Sequence, residues 1–435
     1  HFLTFGYIPN PNTAFSGLFK LKPGHMLHLK NGQVKIAKYW EPTIQKQNIE
    51  VPDKLQHIDA LLTNAVSSRL VTERPLGVFL SGGLDSSLVA LKAAELIPSP
   101  IKTFSIGFDE LEFDETNYAR QVSKKIKSDH HELIIHEAEV PRYFKQMIDA
   151  FDEPFGDSSS LATLALAEFA AKEVVVALSG DGGDEVFGGY DHYLATPVMQ
   201  KMNPFLSLAR GGLNLLGKQS FGNTRKINRV GSQLSPKSSL AARYSSILSL
   251  TQPEELSTLL NSTIYSNAAE TTYINQFAEG KVSSFDRMIR SDFAAYLPGD
   301  LLVKVDIATM ANSLELRSPM LDVNVVEWGV SLPRKYKIKG FETKHILKDV
   351  ARSLVPAELI DRPKMGFGIP RAEWLRTDMK EMVIDTLTDT TATQRGWFNS
   401  TEVKKVIDTH MAGEDKDNLL WPMLMLELWA RTWLD

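Results

Sequence analysis

Between residues 55 and 179 the sequence alternates short apolar runs with helical patterns, and this alternation constrains the fold more than any other feature. Four runs have the length and composition of buried strands: Leu76–Leu80, Ile101–Phe108, His130–Ile135 and Glu173–Ser179. The segments between them, such as Ser86–Leu96 and Asp114–Ile126, have helical patterns. Strands that alternate with helices form a parallel sheet covered on both faces. The predicted fold class is therefore α/β, and a ligand is expected at the carboxyl ends of the strands.

The rest of the chain has a different pattern. Residues 1–42 are too few for a domain and contain a strong hairpin signal at Asn31-Gly32. Because a single hairpin is marginally stable in water, it is expected to pack against something larger, either the rest of this chain or a missing part. Beyond about Tyr193 the strand signals fade, and helices are predicted to dominate to the C-terminus. The chain is thus divided into residues 1–42, an α/β core at 50–200 and a mainly helical portion at 201–435.

Composition argues against several kinds of site and partner. The chain has no cysteine, which excludes disulfides, thiolate metal sites and a cysteine nucleophile within it, and which is compatible with a cytoplasmic location. A net charge of -5 gives no reason to expect nucleic acid or an anionic membrane as a partner. No apolar run is long enough to span a bilayer. The basic segment Lys201–Arg243 is interpreted as a solvated connector.

The first strand of the core leads into a glycine turn, Ser81-Gly82-Gly83, and then into a helix that begins with Asp85, Ser86 and Ser87. Backbone N–H groups converge at such a turn, and the helix dipole favours an anion there. The stretch lacks both the spacing and the lysine of a Walker loop. A carboxylate at Asp85 would repel a phosphate unless a divalent cation lay between them. The sequence therefore predicts a site for the pyrophosphate end of ATP, with Mg²⁺ held by Asp85.

A second glycine-rich turn follows the last predicted strand of the core. The stretch Leu178–Tyr193 reads LSGDGGDEVFGGYDHY, and its acidic side chains Asp181, Asp184 and Glu185 supply oxygen ligands. Two such loops at neighbouring strand ends are expected to bring Asp85 and an acid of the second loop onto one Mg²⁺.

Together, Ser81–Ser87 (SGGLDSS) and Leu178–Tyr193 resemble the synthetase half of the glutamine-dependent asparagine synthetase family, whose first loop is that of the N-type ATP pyrophosphatases. Two further matching stretches, Tyr296–Asp322 and Lys364–Leu375, occur in the expected order. The resemblance covers essentially the whole chain and implies an α/β sheet of the adenine-nucleotide α-hydrolase type. Residues 1–42 resemble the end of the family's glutaminase domain, which carries an N-terminal cysteine, so most of that domain is expected to be missing.

The resemblance also implies roles for individual residues. Asp85 and Asp184 match the Mg²⁺ ligands, while Lys364 and Asp181 match catalytic positions, Lys364 facing the reacting phosphate. For Leu80 and Ile106 alone, ordinary strand-end packing would be the simpler interpretation. The positions that match ATP contacts are Leu80, Ser81, Gly82, Gly83, Asp85, Ser86, Ser87, Ile106, Ser179 and Gly180.

The implied reaction forms an amide in two steps. A substrate carboxylate attacks the α-phosphorus of ATP to give an acyl-adenylate and pyrophosphate, and ammonia then displaces AMP. In the whole protein the ammonia would come from glutamine, through the missing glutaminase domain. Asp181 stands where asparagine-forming members usually carry glutamate, so the acid, aspartate or another, stays open. A homodimer is one possible assembly.

Other interpretations stay open at this level. A relative of the β-lactam synthetases would use an internal amine in place of ammonia, and a non-catalytic scaffold would keep the fold for binding. A tRNA-modifying enzyme is disfavoured by the acidic pI and by the lack of cysteine. Glu315 and Arg317 either orient the substrate or form a structural ion pair. His130 and His131 are not expected to share a metal, because neighbouring strand residues point to opposite faces.

Overall fold

The computed structural model describes residues 1–43, 51–110, 112–194, 240–264, 282–352, 354–355, 360 and 368–435. These residues contain seven strands: β1 (His25–Lys30), β2 (Gln33–Lys38), β3 (Leu76–Phe79), β4 (Lys102–Phe108), β5 (Asp129–Ile135), β6 (Val176–Leu178) and β7 (Glu315–Arg317). The last five form a parallel sheet in the order β5-β4-β3-β6-β7. The predicted α/β class and its parallel sheet are confirmed, whereas the division into 1–42, 50–200 and 201–435 stays a prediction.

Strand β3 lies at the centre of the sheet and pairs with β4 on one side and β6 on the other. The chain builds β4 and β5 outward from β3 and then returns to place β6 against the opposite edge of β3. A crevice forms at such a reversal of strand order, outside the carboxyl ends of the strands. The loops after β3 and β6 both open into this crevice, and they are the two glycine-rich stretches that the sequence singled out.

Seven helices precede residue 195 among the described residues: α1 (Phe2–Phe5), α2 (Val51–Arg69), α3 (Leu84–Leu96), α4 (Thr116–Ile126), α5 (Val140–Ala150), α6 (Ser159–Ala170) and α7 (Gly183–Phe187). Two successive residues of β3 enter different hydrophobic clusters, Val78 with residues of α2, α3 and α4 and Phe79 with residues of α5 and α6. Successive strand side chains point to opposite faces. The sheet is therefore covered by a helical layer on each face.

The described part of the chain after residue 239 is mainly helical, as predicted. A π-helical stretch at Asp292–Leu301 joins the helix Ser284–Ser291 to the helix Leu302–Met310. The helices are α8 (Leu240–Leu248), α9 (Pro253–Leu259), α10 (Ser284–Ser291), α11 (Leu302–Met310), α12 (Val323–Ser331), α13 (Arg334–Lys337), α14 (His345–Ala351), α15 (Arg371–Trp374), α16 (Lys380–Thr388), α17 (Thr390–Arg395), α18 (Ser400–Met411) and α19 (Asp417–Trp433). None of the helices in the described ranges is long and apolar enough to cross a membrane.

Strand β7 corrects the expectation that strands end near Tyr193. It has three residues, and its backbone pairs with β6 in the register Val176↔Glu315 to Leu178↔Arg317. A three-residue segment with charged ends shows no alternation that a sequence pattern could reveal. The pairing depends on tertiary contact with β6, so it was invisible in the sequence.

The predicted hairpin is present, with β1 paired antiparallel to β2. Asn31 and Gly32 at its turn have φ angles of 51° and 75°, the left-handed values that a two-residue hairpin turn requires. Of the two supports expected for it, the rest of this chain and a missing part, the described residues of this chain do not provide the first: all residues of the hairpin are exposed except His25 and Ala37, which are half-buried. The residues before it do pack, since Phe2, Phe5 and Tyr7 all belong to the core.

Candidate active site

A cavity of about 690 Å³ lies at the carboxyl edge of the sheet, between the loops that follow β3 and β6. This volume is within the range of small-molecule sites. Gly82 and Ser87 lie outside the lining, and Lys364 lies outside the described residues. The other predicted site residues all line the cavity: Leu80, Ser81, Gly83, Asp85, Ser86, Ile106, Ser179, Gly180, Asp181 and Asp184.

The first loop needs glycine at position 82. Gly82 has a φ of 71°, and a Cβ there would lie 2.5 Å from the backbone nitrogen of Ala119 in α4. The loop is tied together by side chains, because the Gly83 N–H donates to Ser81 Oγ at 3.2 Å and the Ser81 and Ser86 hydroxyl oxygens lie 3.0 Å apart. These contacts place the N-terminus of α3, with Asp85 in its first turn, at the cavity.

The second loop packs directly on the first. A Cβ on Gly180 would lie 2.6 Å from the backbone nitrogen of Ser86, and a Cβ on Gly183 would lie 2.5 Å from Asp85 Cγ. Both glycines are therefore required by close approach between the loops. This contact brings Asp184, in the first turn of α7, to the same side of the cavity as Asp85.

Both carboxylates contact Lys344, a residue that the sequence reasoning did not identify. Its Nζ lies 2.6 Å from Asp184 Oδ1 and forms an ion pair with Asp85 Oδ2. Burial alone would lower the pKa of Lys344, but the charges of Asp184 and Asp85 raise it above its ordinary value. A lone lysine before a helix carries no local signal of this role, so only the fold reveals it.

The donor set at this point fits Mg²⁺. Asp85 and Asp184 both direct a carboxylate oxygen at one cation, the ammonium group of Lys344. This ammonium group supplies the positive charge between the two carboxylates. Among the described residues no group of three or more His, Asp or Glu side chains is placed to hold a metal. Mg²⁺ commonly needs only one or two carboxylates when substrate phosphates and water complete its shell. Asp85 and Asp184 are therefore the residues that would hold it.

Glu185 is a buried carboxyl beside this pair. Its Oε1 accepts a hydrogen bond from the Tyr190 hydroxyl, and both side chains line the cavity. Burial, together with the charge of Asp184, raises the pKa of Glu185 to about 8. Glu185 therefore keeps its proton at neutral pH, in contrast to a surface glutamate.

The cavity is lined by a second lysine that the sequence did not identify, Lys304. Lys304 Nζ donates to Asp157 Oδ2 and to Ser159 Oγ, both at 2.9 Å, and all three residues line the cavity. Burial alone would lower the pKa of Lys304, but the charges of Asp157 and Asp300 raise it, with a smaller contribution from Asp181. Lys304 is thus charged and faces the part of the cavity that contains Asp181.

Two residue pairs whose roles the sequence left open, Glu315 with Arg317 and His130 with His131, have defined contacts in the structure. Arg317 Nε lies 2.6 Å from Glu315 Oε1, and the Arg317 guanidinium also donates to two backbone carbonyls, so this pair is a structural ion pair at the edge of the sheet. His130 bonds to Thr103 at 2.8 Å while His131 stacks on the Phe104 ring, so the two histidines use opposite faces of the sheet.

Comparison with known proteins decides the family. The asparagine synthase family model matches residues 57–431. The chain belongs to the asparagine synthase family. It is thereby an ATP-dependent, amide-forming ligase, which confirms the resemblance that the two loops indicated.

Several curated proteins similar to this chain are named asparagine synthetases. Asparagine synthetase (glutamine-hydrolyzing) 1 of Bacillus subtilis is 28% identical over 435 residues, which cover 98% of this chain and 67% of the relative. A putative asparagine synthetase (glutamine-hydrolyzing) of Mycobacterium tuberculosis is 29% identical over 459 residues, covering 99% of this chain and 66% of the relative. A shorter match, 40% identical over 200 residues, is to putative asparagine synthetase (glutamine-hydrolyzing) 2 of Methanocaldococcus jannaschii. The chain therefore spans about two thirds of the length of the first two curated relatives.

Proposed function

We propose that this chain adenylates a substrate carboxylate with ATP and transfers ammonia to the acyl carbon, releasing pyrophosphate and AMP. Aspartate is the first acid to test, because the relatives are named asparagine synthetases. One observation carries the proposal: two glycine loops at neighbouring strand ends bring Asp85 and Asp184 onto a single buried cation. In the whole protein, glutamine is the proposed source of the ammonia.

The first loop is suited to the pyrophosphate end of ATP. The N-terminus of α3 directs backbone N–H groups and its positive dipole end toward the cavity, and the Ser81 and Ser86 hydroxyls add donors. Mg²⁺, held by Asp85 and Asp184, would neutralise charge on the phosphate oxygens. Lys344 adds fixed positive charge at the same end of the cavity, and Lys364 is proposed to face the reacting α-phosphate.

The acid substrate is proposed to lie in the cavity between the two glycine loops and the Lys304 side chain. Asp181 lines this part of the cavity, and the positive charge of Lys304 is available to a substrate carboxylate there. Adenylation converts the carboxylate oxygen into a leaving group, and ammonia can then attack the acyl carbon. A cavity that excludes water would protect the acyl-adenylate from hydrolysis during that second step.

The test is product analysis of the purified chain with Mg-ATP, ammonium and a panel of carboxylic acids that includes aspartate. AMP and pyrophosphate should form in equal amounts, together with one amide, only when the correct acid is present. Replacing Asp85 by Asn should lower pyrophosphate release at least 100-fold, because the loop loses a charged cation ligand. Asp149→Asn makes the same change at an exposed side chain paired with Lys145 and should have no effect.

The products distinguish the alternatives. AMP and pyrophosphate that depend on an acid but not on ammonium would favour an internal amine nucleophile, as in the β-lactam synthetases. ADP and phosphate would contradict cleavage at the α-phosphorus. Binding of Mg-ATP without turnover of any acid would favour a non-catalytic scaffold over a ligase.

A further inference from the structure

The first seven residues lie outside the part of the chain that matches the family model, residues 57–431, yet their aromatic side chains are buried in the protein core. Phe2, Phe5 and Tyr7 are 6%, 4% and 2% exposed. The Thr4 carbonyl accepts a hydrogen bond from the Leu250 N–H at 2.6 Å. A short N-terminal segment with this degree of burial is a structural part of the domain rather than a loose extension.

This segment contacts two glycines directly. The Gly156 N–H donates to the Gly6 carbonyl at 2.6 Å, and a Cβ on Gly156 would lie 3.1 Å from Gly6 Cα. The ring of Tyr7 lies against Gly299, where a Cβ would approach Tyr7 Cε2 to 2.7 Å. The N-terminal segment is therefore wedged against the backbone at both positions.

Each of these glycines immediately precedes an acidic residue that acts on Lys304. Asp157 follows Gly156 and accepts a hydrogen bond from Lys304 Nζ, while Asp300 follows Gly299 and adds negative charge close to the same ammonium group. Asp157 and Lys304 line the cavity, whereas Asp300 is buried behind it. The N-terminal segment thus packs against the backbone next to Asp157 and Asp300, the two acidic residues that act on Lys304.

We infer that Phe2–Tyr7 is a positioning element for the acid-binding side of the cavity, with Tyr7 as its positioning residue. Its ring and the Gly6 carbonyl fix the backbone at Gly299 and Gly156, and thereby the Asp157–Lys304 pair. The nucleotide loop Ser81–Ser87 is held by other contacts, with α4 and α7, and does not depend on this segment. The kinetic consequence of this inference rests on the proposed function, but its structural consequence does not.

The structural consequence is measured by hydrogen–deuterium exchange of the full 435-residue chain. Tyr7→Ala removes the ring that lies on Gly299, and exchange should become at least 10-fold faster in peptides that contain Gly156–Ser159 and Gly299–Lys304. Peptides from the Ser81–Ser87 loop should keep their wild-type rate. Tyr7→Phe retains the ring and should restore slow exchange, because no partner for the Tyr7 hydroxyl is found among the described residues. Tyr39→Ala is the matched control, since Tyr39 is 68% exposed.

A second variant approaches the same contact from the other side. Gly299→Ala places a methyl group against the Tyr7 ring, so it should also speed exchange around Lys304. The double variant Tyr7→Ala/Gly299→Ala relieves that clash, and its effect should be clearly smaller than the sum of the two single effects. Effects that simply add would mean that Tyr7 and Gly299 act independently, and would overturn the inference.

Kinetics supply the functional arm. In Tyr7→Ala the KM for the acid should rise about 10-fold while the KM for ATP stays at its wild-type value, because the change moves the Asp157–Lys304 pair and not the nucleotide loop. A purely structural role would lower the active fraction and leave both KM values unchanged, which contradicts the inference. If the wild-type chain turns over no acid, the proposed function fails, and the exchange data alone decide the inference. Unchanged exchange rates at Gly156–Ser159 and Gly299–Lys304 would overturn it. A uniform increase in exchange that includes Ser81–Ser87 in both single variants would also overturn it.

Discussion

Lys344 joins the two glycine loops through charge. It is 8% exposed and has two carboxylate partners, Asp85 and Asp184. We expect Lys344→Met to reduce the free energy of unfolding by about 3–5 kcal/mol without Mg²⁺, because two half-buried carboxylates would then face each other with no cation. Urea denaturation measures this loss. Lys145→Met, at a lysine side chain that is 77% exposed, should stay within about 0.5 kcal/mol of wild type. An equal effect of both variants would contradict the assigned ion pairs.

Glu185 predicts a pH dependence of stability. Its pKa is raised to about 8 in the folded chain, whereas the unfolded value is near 4.5. Between these values the folded state holds a proton that the unfolded state has lost, so this group makes the folded state less stable as the pH rises. Glutamine cannot ionise but keeps an oxygen for the Tyr190 hydroxyl. We therefore expect Glu185→Gln to raise the melting temperature relative to wild type, with a difference that grows from pH 5 to pH 8.

Thermal unfolding at several pH values without nucleotide tests this expectation. Glu414→Gln serves as the control, because the Glu414 side chain is 68% exposed and paired at the surface with Lys416. Its melting temperature should track that of the wild type across the same range. A stabilisation by Glu185→Gln that stays constant from pH 5 to pH 8 would show that the buried carboxyl is ionised rather than protonated, because the folded and unfolded states would then bind the same number of protons.

At single residues, the sequence was informative where chemistry is written into a loop and silent elsewhere. Asp85 could be singled out because it stands in a glycine turn after a strand, whereas the second turn offered three acids and only the family resemblance selected Asp184. Their role as Mg²⁺ ligands stays a prediction. Lys304 and Lys344 could not be singled out, since an isolated lysine within or before a helix is normally solvated. Their roles come from partners more than 100 positions away in sequence.

Among the elements, the loop between β3 and α3 depends on a glycine for two separate reasons. Gly82 has a φ of 71° and no room for a Cβ against α4, whereas Gly17 has a φ of 80° with nothing within 4 Å. Gly17→Ala should therefore cost only the left-handed backbone strain, about 1–2 kcal/mol. Gly82→Ala should cost more and should abolish pyrophosphate release, because the loop must move away from α4. Urea denaturation and the pyrophosphate assay measure the two effects, and equal losses of stability would contradict the close packing.

The strands show how far a local pattern reaches. β3, β4, β5 and β6 were all predicted within a few residues of their observed bounds. For β3, β4 and β6 the signal was a largely apolar run, as expected of buried parallel strands, whereas β5 is mostly half-buried. β7 was missed because its three residues become a strand only through pairing with β6. The Asn31-Gly32 turn specifies the β1–β2 hairpin but does not indicate what covers it, so the exposure of the hairpin in this chain could not be read from the sequence.

In the whole molecule, burial divides the N-terminal residues into two groups with different energetic weight. Phe5 is 4% exposed in the main core, whereas Leu29 on the hairpin is 64% exposed. We expect Phe5→Ala to lower the free energy of unfolding by about 3–5 kcal/mol. Leu29→Ala should change it by less than about 0.5 kcal/mol. Equilibrium denaturation of both variants provides the comparison, and a large loss for Leu29→Ala would mean that the hairpin packs against the body of the protein in solution.

Strand β7 also has a consequence for how the chain folds during synthesis. β6 ends at Leu178, but its neighbour β7 begins only at Glu315, so the edge of the sheet stays open while more than a hundred further residues are made. An open parallel edge is a template for unwanted pairing with other chains. Closing a loop of this length also slows folding. A nascent chain that stops after β6 should therefore aggregate, and residue 317 must be synthesised before β6 has a paired strand on each side.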